Sequence, residues 1–204
     1  MKEQSLSTKH TDGTVSIIFD LETNGLSFTR QDARIHCIAL HWVEDNNTEA
    51  YNDEKYVERP GTFLKTDTPM AAGYSIATAL HNIEVADVLI GHNIIGFDLP
   101  FIHSVYPWFN PTGIVIDTLL LSRLYHPNLL EIDKKHQWKD MPKPLYGKHS
   151  LEAYGYRLGL YKGDFAKDTD WKKWSQEMQD YCIQDVKVTE RLCNHFHPYL
   201  TGSR

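Results

Sequence analysis

The stretch SIIFDLETNGL, residues 16–26, decides the reading of the fold. Ser16, Ile17, Ile18 and Phe19 form an apolar run rich in β-branched and aromatic residues, stopped by the turn pair Asn24-Gly25, which is the pattern of a buried strand. That strand ends in two carboxylates, Asp20 and Glu22, separated only by Leu21. Side chains two apart on a strand share a face, so both acids aim at one spot while Leu21 points away. Like charges that close raise each other's cost of ionisation, and burial adds to it. The pair therefore calls for a positive partner.

The chain has 204 residues, 41% of them hydrophobic and 12% aromatic, enough for one packed core. Cys37, Cys182 and Cys193 are an odd number at spacings that suit neither a disulfide framework nor a zinc motif, which points to a reducing cytoplasm. No apolar run approaches membrane-spanning length, so no membrane partner is expected. Residues 1–14 are polar and read as a flexible tail, leaving 15–204 as one domain. A net charge of −6 argues against gripping long nucleic acid by electrostatics alone. The charge is uneven: residues 1–100 carry 7 Lys+Arg against 15 Asp+Glu, residues 131–167 carry 8 against 5. An acidic centre beside a basic stretch is what a metal-dependent phosphodiesterase needs.

Further along, residues 34–43 and 48–51 read as strands, and 53–69 as a polar linker. Residues 73–87 read as a helix with Ile76, Leu80 and Ile83 on one face. A strand at 88–93, a helix over 97–109, a strand at 114–117 and a helix from 118 follow, the last capped by Asp117 or Thr118. Residues 126–148, with Pro127, Pro142 and Pro144, read as loop. A helix at 149–159 has Ser150 to cap it and Gly159 to stop it. A long helix runs from about Trp171, interrupted at or before Pro198. Successive strands followed by strand–helix alternation predict an α/β fold, a mixed sheet flanked by helices.

Two more carboxylates stand at marked places. Asp98 follows Phe97 in GHNIIGFD, where a strand hands over to a helix, the usual mouth of a site in α/β sheets; taken alone, it reads first as the cap of that helix. In YCIQDVKVTERL, Tyr181 and Asp185 are four apart and share a helix face that Val188 and Leu192 continue. A carboxylate facing a core is expensive without a partner, whereas Tyr181 by itself reads as a core aromatic. The eleven histidines suggest no site. His195 and His197, two apart on a helix, do not share a face, and imidazole near Asp98 is not the preferred ligand of Mg²⁺.

Taken together, Asp20-x-Glu22, Asn93-x-x-x-Phe97-Asp98 and Tyr181-x-x-x-Asp185 resemble, in that order, the DEDD superfamily of 3′–5′ exonucleases, in its tyrosine-bearing (DEDDy) subclass. Asp180 stands where the other subclass has histidine. The stretches IDTLLLSRLYHPNL and HSLEAYGYRLGLYKGDF are similar to the exonuclease domain of family A DNA polymerases of short-tailed bacteriophages. The resemblance spans about residues 15–195 and implies an RNase H-like (DnaQ-like) five-stranded sheet. In those polymerases a larger polymerase domain follows; this chain ends at Arg204, so the expectation is a stand-alone nuclease, a subunit of a split polymerase or a cut-out domain.

The resemblance further implies two Mg²⁺ or Mn²⁺ ions, with Asp20 bridging them, Glu22 and Asp185 holding the ion that activates water, and Asp98 holding the second. Tyr181 would orient the water. The backbone at Thr23 would lie near the terminal 3′-hydroxyl, Leu26 would wedge beside the terminal base, and Asn93 and Phe97 would line the cleft. Leu26 and Phe97 read equally as core residues. The implied substrates are single-stranded or frayed 3′ DNA ends, hydrolysed to nucleoside 5′-monophosphates in proofreading. The implied partner is a separately encoded family A polymerase, and the location a bacterial host cytoplasm if phage-encoded. Two other readings remain: an RNA exonuclease of the RNase D kind, told apart by 2′-hydroxyl contacts, and an inactive replisome scaffold.

Overall fold

A computed structural model describes residues 13–27, 31–53, 75–160 and 170–203. Five strands form a mixed sheet in the order β3-β2-β1-β4-β5. β1 (Ser16–Thr23) is central, antiparallel to β2 (Ile35–Trp42) and parallel to β4 (Val88–Gly91). β3 (Asn47–Tyr51) extends β2 as an antiparallel edge, and β5 (Ile114–Asp117) extends β4 as a parallel one. The architecture is the mixed five-stranded, helix-flanked sheet expected from the sequence.

The period of two along β1 sorts its residues between two cores. Ile17, Phe19 and Leu21 point into a cluster with Leu40 of β2, Ile76, Leu80 and Ile83 of α1 (Ile76–Val85), and Phe101 and Ile102 of α2 (Asp98–Val105). Ile18 points the other way, to Cys37 and Ala39 of β2 and to Met178, Cys182 and Val186 of α6 (Gln176–Leu200). Asp20 and Glu22 follow Ile18 in register and stand opposite Ala39 and Cys37. Small residues at those two positions leave α6 room to lie against the sheet beside the two acids. A third cluster joins Val188, Leu192 and Phe196 of α6 to Leu151 and Tyr154 of α5 (Leu151–Arg157) and Leu129 of α4 (Leu129–His136).

The local signals settle most helix ends. The Ser75 side chain caps α1 by accepting from the Thr78 N–H at 3.2 Å, and Ser150 caps α5 by accepting from Ala153 at 3.3 Å. Asp117 caps α3 (Thr118–Tyr125), accepting from the Leu119 N–H at 2.9 Å. Gly159 ends the α5 region with φ +69°, a left-handed conformation that glycine adopts without strain.

Four expectations are corrected. Residues 126–148 are not all loop, because they contain α4, whose buried anchors include the carboxylate of Asp133 as well as Leu129. Helix α2 ends at Val105, short of 109. Helix α6 starts at Gln176, five residues after Trp171, where the Ser175 hydroxyl accepts from Met178 N–H at 3.1 Å. It also continues through Pro198 to Leu200, since a proline in the last turn removes only one helical hydrogen bond and Phe196 stays packed in the core. The tail over 1–12 and most of the 53–69 linker lie outside the described residues. Among the described residues, no helix is long and apolar enough to cross a membrane.

Candidate active site

β1 and α6 carry four of the five side chains that the motifs single out. Asp20 is part-exposed at the end of β1, and Glu22 is buried two residues on. Tyr181 and Asp185 face them from α6, one turn apart. Asp98, 3% exposed, is the first residue of α2. The Tyr181 hydroxyl feels Asp185, Glu22 and Asp20, and Asp98 feels Asp185. Every one of those charges is negative.

Asp98 is not the helix cap that its position before Leu99-Pro100 suggested. The cap position belongs to Phe97, and no side chain closes that helix end. β4 pairs with β1 only from Ser16 to Ile18, so β1 beyond Ile18 is open on that side. The N–H of Leu21 is one of two backbone groups that bond the Asp98 carboxylate, the other being its own. Gly91 ends β4 against β1: a β-carbon there would meet the Phe19 carbonyl oxygen at 3.1 Å and Ile94 closer still. Burial, above all, pushes the Asp98 carboxyl up to about 7; the two N–H groups oppose this, and the charges of Asp117 and Asp185 add to it.

Tyr181 is pushed well above the ordinary tyrosine value, first by burial and then by Asp185, Glu22, Asp20 and Glu152. It is therefore a phenol at neutral pH, able to donate a hydrogen bond. Its ring stands edge-on to Trp171, with centroids 6.4 Å apart, so Tyr181 has an aromatic neighbour while its hydroxyl lies among acids.

The residues expected on the substrate side stand at the end of β1 and the turn after it, and in the loop between β4 and α2. Thr23 closes β1 and donates from its hydroxyl to the Gly25 carbonyl at 2.7 Å. Leu26, 85% exposed at the turn after β1, is no core residue. Asn93 is exposed with φ +67° in the β4–α2 loop. Phe97 is half-buried, its ring 5.5 Å from Phe101, so it packs partly into the core as well as edging the loop.

Two participants had escaped the sequence reading. Asp117, read only as a cap, also accepts from the N–H groups of Asn93 at 2.9 Å and Ile95 at 3.2 Å, which fixes the loop leading into Asp98. Cys182 has its sulfur 3.3 Å from the Asp20 carbonyl oxygen and 3.7 Å from Asp20 Oδ2. Its signal was its place three residues before Asp185 on the same helix face. One ligand atom each of Asp20, Glu22 and Cys182 lie within 4.8 Å of one another; among the described residues no other such metal-ligating group of three occurs.

The donor set fits a hard divalent cation. Four carboxylates gather where the acting charges are all negative, and oxygen donors of this kind are those Mg²⁺ and Mn²⁺ take. Such an ion would add positive charge beside Asp20 and Glu22.

The sequence profile of the RNase H superfamily matches residues 17–197. The DNA-directed DNA polymerase of Enterobacteria phage T3 is 28% identical over 198 residues, covering 86% of this chain and 26% of the polymerase. That of Escherichia phage T7 is 28% identical over 199 residues, with the same coverages. The chain thus spans about a quarter of the length of these relatives. Among solved structures, Brucella melitensis NrnC superposes with a TM-score of 0.55 at 16% identity, covering 98% of this chain and 79% of that one. A structure of NrnC with bound Mg²⁺ gives 0.52 at 17% identity, with the same coverages.

Proposed function

The chain belongs to the RNase H superfamily, and from that premise we propose that it is a metal-dependent 3′–5′ exonuclease that shortens DNA from its 3′ end, releasing nucleoside 5′-monophosphates. The observation that carries this reading is the convergence of Asp20 and Glu22 from β1 with Tyr181 and Asp185 from α6 and Asp98 from the start of α2. Asp20, Glu22, Asp98 and Asp185 would hold two Mg²⁺ or Mn²⁺, which when bound supply a hydroxide from water near neutral pH and offset the charge that grows on the leaving 3′-oxygen.

The chain's own groups do the rest. Tyr181, held as a phenol by burial and by its acidic neighbours, orients the attacking water by a hydrogen bond. The backbone at Thr23 receives the terminal 3′-hydroxyl, and the exposed Leu26 wedges beside the last base. Asn93 and Phe97 edge the other side, where the loop is fixed by Asp117. Wedge and stacking contacts are tolerant of sequence, so little base preference follows.

DNA as substrate is supported by the two relatives, both DNA polymerases, and by the similarity covering 86% of this chain. The same relationship favours a separately encoded DNA polymerase as the partner that delivers frayed 3′ ends. The test is to incubate the protein with 5′-labelled single-stranded DNA and with RNA of the same sequence, each with Mg²⁺ and with EDTA. A Mg²⁺-dependent ladder shortening the DNA from its 3′ end supports the proposal. Internal cuts, shortening from the 5′ end, or preference for the RNA would each overturn it.

A further inference from the structure

Cys182 plays no part in the chemistry proposed above, yet among the described residues it is the one that joins Asp20 and Glu22 in a ligand group within 4.8 Å. It is fully buried on α6, and its thiol donates to Asp20 at the carbonyl oxygen and at Oδ2. Cys37 lies behind it, opposite Glu22 on β2, and shares a hydrogen bond with it. The site therefore offers sulfur beside its hard oxygen donors.

We propose that Cys182 is a third ligand, with Asp20 and Glu22, for borderline or soft divalent cations such as Zn²⁺ and Cd²⁺, and that such ions occupy this site in place of Mg²⁺ and inhibit the enzyme. A thiolate prefers Zn²⁺ or Cd²⁺, whereas carboxylates suit Mg²⁺ and Mn²⁺, so one pocket serves two classes of ion. With a hard ion, Cys182 keeps its proton and its hydrogen bonds to Asp20. With Zn²⁺ the S–H bond breaks, a sulfur–metal bond forms and one proton leaves to solvent. The proposal rests on the reading of Asp20 and Glu22 as metal ligands, but its test needs no substrate.

The experiment is a Co²⁺ titration of the metal-free full chain followed by absorption, with the cadmium NMR shift of the wild-type protein as a measurement that needs no variant. The expected results are a thiolate-to-cobalt charge-transfer band, a sulfur-ligated cadmium shift and displacement of Co²⁺ by Zn²⁺. The band should vanish in a folded Cys182→Ser protein that still binds Co²⁺ and persist in Cys193→Ala. In the nuclease assay, Cys182→Ser should need about tenfold more Zn²⁺ for the same inhibition over excess Mg²⁺. An all-oxygen cadmium shift, Co²⁺ binding without the band, or a band that survives in Cys182→Ser would overturn the proposal. Absence of nuclease activity would defeat the exonuclease reading and leave the spectroscopic result standing.

Discussion

The backbone N–H of Asn93 is held 2.9 Å from Oδ1 of Asp117, a carboxylate 24 residues away on the neighbouring strand end. The same side chain holds the N–H of Ile95 and caps α3 at Leu119. Thr118 reinforces the joint by donating to the Gly91 carbonyl at 3.1 Å and bonding His92 at 2.9 Å. One acid at the end of β5 thus sets the loop that delivers Asp98.

Asp117→Ala should therefore do two things. It leaves two loop N–H groups and a helix N-terminus without their acceptor, a loss on the order of 2–4 kcal/mol in denaturant unfolding. It should also weaken Mn²⁺ binding roughly 10–100-fold, because Asp98 is no longer placed. Asp117→Asn keeps one acceptor oxygen and should sit between the two. A variant that loses stability but binds Mn²⁺ as the wild type does would show that the loop does not position Asp98.

The acidic cluster makes the metal-free protein sensitive to pH in a stated direction. Asp98 has a folded-state value raised to about 7, against about 3.9 when unfolded. Between those values the folded protein keeps a proton that the unfolded chain has lost. Stability must then fall as pH rises from about 4 to 7, by up to about 4 kcal/mol if the whole shift is expressed. Asp98→Asn cannot ionise, so its unfolding midpoint in EDTA should stay higher than the wild type's at pH 8, with the gap closing at pH 4. Equal pH profiles for the two proteins would refute the assignment.

Tyr181→Phe removes the hydroxyl and keeps the ring against Trp171. The fold should be unchanged, and the rate of DNA shortening should drop about 10–100-fold. Because burial and the surrounding acids keep Tyr181 protonated, the pH–rate profile of the variant should have the wild-type shape. A basic limb that disappears in Tyr181→Phe would instead identify the tyrosine as an ionising base.

Arg157 and Asp133 form an ion pair remote from this chemistry. Arg157 Nη2 donates to Asp133 Oδ2 at 2.7 Å and Nε donates to Oδ1 at 3.0 Å, with Asp133 fully buried. Trp138 and the Gly147 N–H complete the acceptor's partners at 2.8 and 2.7 Å. Arg157→Ala strands the carboxylate and should cost about 3–5 kcal/mol in denaturant unfolding. Divalent binding at Asp20 should be unaffected once the variant is folded at lower temperature.

The strand-borne Asp20 and Glu22 were legible because a period of two fixes their common face, and Tyr181 and Asp185 because a spacing of four does the same on a helix. Ser150 and Gly159 mark helix ends through side-chain and backbone chemistry that is local. What escaped was tertiary. Helix α4 is anchored by Asp133, whose partner Arg157 is 24 residues away, and Pro127, Pro142 and Pro144 made the whole segment read as loop. Asp117 showed its nearest bond, to Leu119, but not its reach to Asn93. Cys182 carried no motif, and only the packing of α6 against β1 reveals what its sulfur touches. Asp98 was ambiguous because a carboxylate before a proline suits a cap as well as a ligand; the structure shows that it is not the cap.

The acids gathered from β1, α2 and α6 are proposed to hydrolyse DNA from its 3′ end. The most direct measurement follows 5′-labelled single-stranded DNA in Mg²⁺ with wild-type and folded Asp20→Asn protein side by side, with the released product identified by chromatography. Stepwise shortening from the 3′ end and nucleoside 5′-monophosphate are expected with the wild type, and neither with Asp20→Asn. Equal cleavage by both proteins, or release of nucleoside 3′-monophosphates, would contradict it.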